Sequence, residues 1–78
     1  MGFVAIDVET ANADPGSICQ LGVVAFEGTE VVETLDRLVD PEGPFHFGNV
    51  AVHGIRPADV RGAPRLPELY GELERMMA

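Results

Sequence analysis

An α/β fold, three antiparallel strands followed by helices, is what this 78-residue sequence predicts. Three observations carry the prediction. Three runs of strand-forming residues, 3–9, 17–27 and 30–39, are separated by the turn-forming stretch 10–16 and by the two-residue link Gly28-Thr29. Two prolines and two glycines in 40–48 rule out a long regular element there. Residues 66–77 then repeat apolar side chains at helical spacing.

The first run, Phe3-Val-Ala-Ile-Asp-Val-Glu9, is apolar on both faces and reads as a central, buried strand. Val4, Ile6 and Val8 point one way, and Phe3, Ala5, Asp7 and Glu9 the other. The link to the third strand has Gly first, which suits a type II′ hairpin. In the third strand, Val32, Thr34, Asp36 and Leu38 alternate with Val31, Glu33, Leu35 and Arg37, so neither face is strongly apolar. That pattern fits an edge strand with much of its surface in water. A short helix is expected at 49–53, and a turn from Pro57 to Val60. The last helix carries Leu66, Leu69, Tyr70, Leu73, Met76 and Met77 on one stripe. Pro67 sits in its first turn, where a missing N–H costs little. Arg65 falls at the N-cap, a place Arg fills poorly.

Seventy-eight residues make at most one small domain, in which only about 60% of the unfolded chain's surface is buried. The composition is that of a soluble globular protein, without a membrane span or a signal peptide, so a cytoplasmic protein is the default expectation. Cys19 stands alone, which excludes an internal disulfide and every metal-cluster spacing, and its apolar setting reads as core. A net charge of −8, from 5 basic and 13 acidic residues, argues against a general nucleic-acid-binding surface. It is compatible with a site in which carboxylates hold cations and the cations meet a phosphate.

Asp7 and Glu9 are the first candidates for chemistry. Residues i and i+2 of a strand share a face about 7 Å apart, and carboxylates so placed can reach cations about 3.5–4 Å apart. Mg²⁺ or Mn²⁺ would suit such oxygen donors. The pair by itself reads more readily as a strand end with two hydrated acids, since so short a motif often matches by chance.

The stretch FVAIDVETAN followed by SICQLGVV resembles the first exonuclease motif of the DEDD superfamily and the strand after it. LVDPEG, NVAVHGIRPADVRGAP and LPELYGEL follow, and this order resembles the DNA polymerase III epsilon-subunit-like exonucleases of the DnaQ-like (DEDDh) group. The resemblance covers essentially the whole chain. It implies a ribonuclease H-like fold with a five-stranded mixed sheet whose first strand is central, so that 1–78 is the N-terminal part of a single exonuclease domain. It implies metal-dependent hydrolysis of 3′-terminal nucleotides of single-stranded DNA or RNA. By matching position, Asp7 and Glu9 become the first two metal-binding acids, in a two-metal site taking Mg²⁺ or Mn²⁺. Thr10 becomes a residue beside the terminal nucleotide, His53 of Val52-His53-Gly54-Ile55 a lining of its pocket, and Asn49 a polar position ahead of that signature.

Plainer readings stand beside these. His53 can be a helix-end histidine donating to a carbonyl, and Asn49 a helix cap. His46 matches nothing. His53 and Asp59 imitate the family's His-then-Asp pair, but the spacing is one residue too long and the pair precedes the family's second motif. The Asn-x-x-Phe-Asp-like second motif and the late His and acid are not among these residues. The expectation is therefore a piece that is inactive as it stands and that self-associates or pairs with a missing C-terminal half through the edge of 3–9. A DNA polymerase assembly is a further expected partner. The alternative is a non-catalytic scaffold using the same edge. An aspartyl phosphatase is disfavoured by Glu9, since that chemistry resembles Asp-x-Asp.

Overall fold

Alternation governs the middle strand. β2 (Ile18–Glu27) buries Cys19, Leu21, Val23 and Ala25 and leaves the residues between them half-buried, the period of two expected when only one face of a sheet is covered. In the computed structural model, which describes residues 2–77, β2 pairs antiparallel with β1 (Gly2–Thr10) and β3 (Glu30–Leu38), in the order β1-β2-β3. Helix α1 (Phe47–His53), 3₁₀ turns at Pro57–Val60 and Leu66–Leu69, and helix α2 (Tyr70–Met77) follow. A three-stranded antiparallel sheet followed by helices is consistent with a partial ribonuclease H-like exonuclease fold.

The hairpin link is built as its glycine demands. Gly28 has φ +63° and Thr29 lies outside the positive-φ region, the pattern of a type II′ turn. A bulge follows at once. Phe26 pairs with Val31 but Ala25 pairs with Glu33, so Val32 is the extra residue. This shift places Leu35 opposite Val23, inside the core, with Glu33 and Arg37 flanking it on the same face.

α2 lies over that face. Leu69 and Met76 join Leu21, Val23, Ala25, Leu35 and Val39 in the main core, with Leu66 and Leu73 packed against them. Arg37 reaches Glu72 at 3.4 Å and Arg75 reaches Glu33 at 2.7 Å, so ion pairs border the apolar contact on both sides. Tyr70 and Met77, on the expected apolar stripe, stay exposed. The Glu68 carboxylate accepts from the Arg65 N–H at 2.9 Å, which caps the turn that the Arg65 side chain cannot cap. A second small cluster, Ala11, Cys19, Ile55 and Val60, closes the other end.

Among the described residues the first strand pairs with β2 alone, which leaves open the edge of 3–9 that the missing strands were expected to leave, while Phe3, Ile6 and Val8 are exposed where a buried strand was read. Apolar residues on both faces need partners on both faces and both edges, and among the described residues β1 has a strand on one edge alone. β3 is the other edge, as its pattern predicts.

The Arg75 guanidinium, hydrogen-bonded to Glu33, holds that carboxyl below its ordinary value of 4.5. A depressed folded-state value contributes stability above pH 4.5, and the contribution is lost as pH falls through the lowered value. Arg75→Met is therefore expected to flatten the acid-side decline in melting temperature. Melts between pH 6 and 3 check this; an unchanged slope would show that the pair is screened to insignificance at this exposed position.

Candidate active site

Asp7 and Glu9 lie on the sheet face opposite α2. The register sets this: Asp7 is opposite Gly22 and Glu9 opposite Gln20 on β2, and Gly22 is in turn opposite Asp36 on β3. Asp7, Glu9, Gln20, Gly22, Thr34 and Asp36 line an open concavity of about 380 Å³. Asp7 is exposed and Glu9 half-buried. The Asp36 carboxylate accepts from the Gln20 side chain at 3.2 Å. Neither Asp7 nor Glu9 has a hydrogen bond or ion pair among the described residues. Asp36 and Gln20 belong to no motif in the sequence. The signal would have been the register, which the bulge at Val32 shifts by one residue.

Thr10, Asn49 and His53 come together at the end of β1. Asn49 Nδ2 donates to the Thr10 carbonyl at 3.1 Å and lies 3.4 Å from Thr10 Oγ1 and 3.3 Å from the Asn12 carbonyl. His53 Nε2 donates to the same Thr10 carbonyl at 2.9 Å, while Nδ1 accepts from the Ile55 N–H at 2.9 Å. That pair of contacts defines a neutral imidazole protonated on Nε2. His53 thus makes the carbonyl contact that its plainer reading expects. Asn49 is not a helix cap: His46 is, accepting from Gly48 N–H through Nδ1 at 3.1 Å. Gly54, at φ +75°, ends α1 in the left-handed conformation that glycine adopts freely.

The loop joining β1 to β2 is tied down by its own polar side chains. Ser17 Oγ accepts from Asn12 N–H and donates to the Asp14 carbonyl, and Asn12 Nδ2 donates to the Pro44 carbonyl. Cys19 is fully buried, as expected, with its sulfur 3.8 Å from His53 Nε2. Burial pushes its thiol pKa up and the nearby Glu9 charge adds to this, which makes it a poor nucleophile. Asp59 is occupied elsewhere, accepting from the Arg56 N–H at 2.8 Å at the start of a 3₁₀ turn. The His53–Asp59 pair is therefore no catalytic dyad.

Two hard carboxylates, on one strand face and without protein partners, suit Mg²⁺ or Mn²⁺ chemically. They fit as part of a set. Among the described residues no group of three or more His, Cys, Asp or Glu is placed to hold a metal ion, so the remaining ligands must be water, substrate oxygens or other protein groups.

The comparisons with known proteins agree with this geometry in kind. The curated relative RNA exonuclease 4 of Mycosarcoma maydis is 29% identical over 79 residues, covering 96% of this chain and 20% of that protein. The chain thus spans about a fifth of the relative's length. An exonuclease family model, RNase_T, matches residues 4–78, nearly the whole chain, from the strand bearing Asp7 and Glu9 to the end of α2. By that match this chain belongs to the RNase T exonuclease family.

Proposed function

We propose that this chain contributes the first two metal-binding acids, Asp7 and Glu9, to a 3′→5′ exonuclease domain of the DEDDh type. The observation that carries the reading is the pair of unpartnered carboxylates on the open sheet face, within a sequence that belongs to an exonuclease family. Exonuclease domains of this family are generally dependent on divalent metal ions. Bound cations supply charge neutralisation at the scissile phosphate and a lowered pKa for attacking water. Asp7 and Glu9 would hold them, and Mg²⁺ or Mn²⁺ are the ions their oxygens favour. Thr10, beside Glu9, offers a hydroxyl to the terminal nucleotide.

The substrate is the 3′ end of a single strand. The relative, named an RNA exonuclease, favours RNA, and the likeness to DNA polymerase III epsilon favours DNA. Because the chain has a net charge of −8, its hold on a long strand is weak unless cations or another protein supply positive charge.

The test is metal-dependent release of mononucleotides from 3′-labelled RNA and DNA oligonucleotides. The 78 residues by themselves are expected to release none, since one strand's two acids cannot fix two cations and also orient a water. The same residues carried within a full exonuclease domain are expected to support release, abolished by Asp7→Ala. Cleavage by the 78-residue chain, lost in Asp7→Ala, would overturn the requirement for further ligands. A second reading is favoured by the unpaired edge of β1 with exposed Phe3, Ile6 and Val8: a non-catalytic module that joins another chain, or a second copy, by strand addition. A full domain that binds partners but releases no nucleotide in Mn²⁺ would select it.

A further inference from the structure

α1 is an unusual helix. None of its seven residues is buried, and Phe47 and Val52 are 82% and 84% exposed. Burial of an apolar stripe, which holds most helices in proteins, does not hold this one. Its side-chain attachments to the sheet are Asn49 and His53, one turn apart and hence on one face. Both donate to the same oxygen, the carbonyl of Thr10.

That carbonyl is available because of a bulge. Glu9 pairs with Gln20, but Thr10 pairs with Ile18, leaving Cys19 as the extra residue on β2. The ladder is disrupted at the residue after Glu9, where β1 would otherwise be free to fray. Asn49 and His53 restore the anchor from outside the sheet, and Asn49 extends it to the Asn12 carbonyl. Both imidazole nitrogens are engaged, so His53 has no donor left for a ligand unless it releases Thr10.

We propose that Asn49 and His53 are positioning residues, which fix the backbone after Glu9 through the Thr10 carbonyl and so aim the Glu9 carboxylate at a cation shared with Asp7. The proposal rests on the reading of Asp7 and Glu9 as cation ligands. Outer groups that orient ligands typically change metal affinity by about 10–100-fold. One lost anchor out of two corresponds to the lower end of that range.

The experiment is Mn²⁺ binding to the 78-residue chain, followed by electron paramagnetic resonance for affinity and by paramagnetic broadening of backbone amide signals for location. In the wild type, Mn²⁺ broadens the Asp7, Glu9 and Gly22 amides. Asn49→Ala and His53→Ala are each expected to weaken binding about tenfold, with broadening at Glu9 reduced more than at Asp7. His53→Gln, whose side-chain amide reaches the same carbonyl, is expected to recover affinity to within about twofold of wild type. A purely structural role would give no such rescue and no selective loss at Glu9. Unchanged affinity in folded Asn49→Ala and His53→Ala overturns the proposal while leaving the cation reading in place. Absence of wild-type broadening at Asp7 and Glu9 overturns the cation reading and the positioning role with it. Should the alanine variants unfold, the wild type decides: through-hydrogen-bond couplings from Asn49 Nδ2 and His53 Nε2 to the Thr10 carbonyl must persist when Mg²⁺ is bound, and their loss overturns the proposal.

Discussion

Asp7→Asn is expected to weaken divalent-cation binding at the β1 face while leaving the stability of the fold nearly unchanged. Asp7 is exposed and has no hydrogen bond or ion pair among the described residues. Its neighbours on the open face include two further acids, Glu9 and, across Gly22, Asp36. Three carboxylates on one face repel one another, and the effect is softened but not erased by screening at physiological salt, where the Debye length is about 8 Å. Neutralising one of them therefore leaves the stability within about 0.5 kcal/mol of wild type or slightly higher. Cation affinity responds in the opposite sense. On the proposed reading Asp7 would supply one of two anionic ligands, and an amide oxygen in its place carries no charge, so binding should weaken at least about tenfold, or ~1.4 kcal/mol. Thermal melts without metal and Mn²⁺ titrations with it measure the two quantities on the same sample. A fall in stability above about 1 kcal/mol, with cation binding intact, would mark Asp7 as a structural acid. The combination expected here is the mark of a group kept for chemistry at the expense of stability.

Leu69→Ala is expected to unfold most of the helical layer. Leu69 is 3% exposed and sits where the 3₁₀ turn at Leu66–Leu69 runs into α2, packed with Leu21, Val23, Leu35 and Met76. Truncating a buried leucine costs about 3 kcal/mol through lost transfer energy and an unfilled cavity. A protein of this length has roughly 4–12 kcal/mol in total, so the loss is a large share of what holds the molecule together. α2 has eight residues, too few to persist as a free helix in water. Losing its main anchor should therefore lower helical ellipticity and broaden the thermal transition. Tyr70→Ala is the control: Tyr70 is next in sequence but 53% exposed, and its truncation should cost under about 1 kcal/mol. Equal losses from both variants would mean that Leu69 is not the anchor.

Local pattern carried most of the fold. Three strands, the glycine-led hairpin, the short helix before Gly54 and the proline-started helix at the end can each be read from a window of about ten residues. In such a window, periodicity and turn chemistry are set by neighbouring residues alone. The carboxylate pair was legible for the same reason, because i and i+2 of a strand share a face whatever the rest of the chain does.

Register and long-range partners were not legible. Counting back from the two-residue hairpin, which pairs Glu27 with Glu30, places Gly22 opposite Leu35. The bulge at Val32 moves the pairing by one, so that Leu35 enters the core and Asp36 joins Asp7 on the open face. One inserted residue exchanges the faces of everything beyond it. Likewise, nothing near Thr10 in sequence announces that its carbonyl will meet Asn49 and His53, 39 and 43 residues away.

By itself, then, the sequence determined the element order, the family, and the presence of Asp7 and Glu9 on one strand face. Only the tertiary structure decided what surrounds them. It left β1 at an edge with its apolar residues in water, assigned the first helix to holding the strand end, and brought Asp36 within the same concavity. The reason is physical: side-chain direction along a strand is a local property, whereas the identity of a residue's neighbours depends on the offset between strands and on each bulge that changes it.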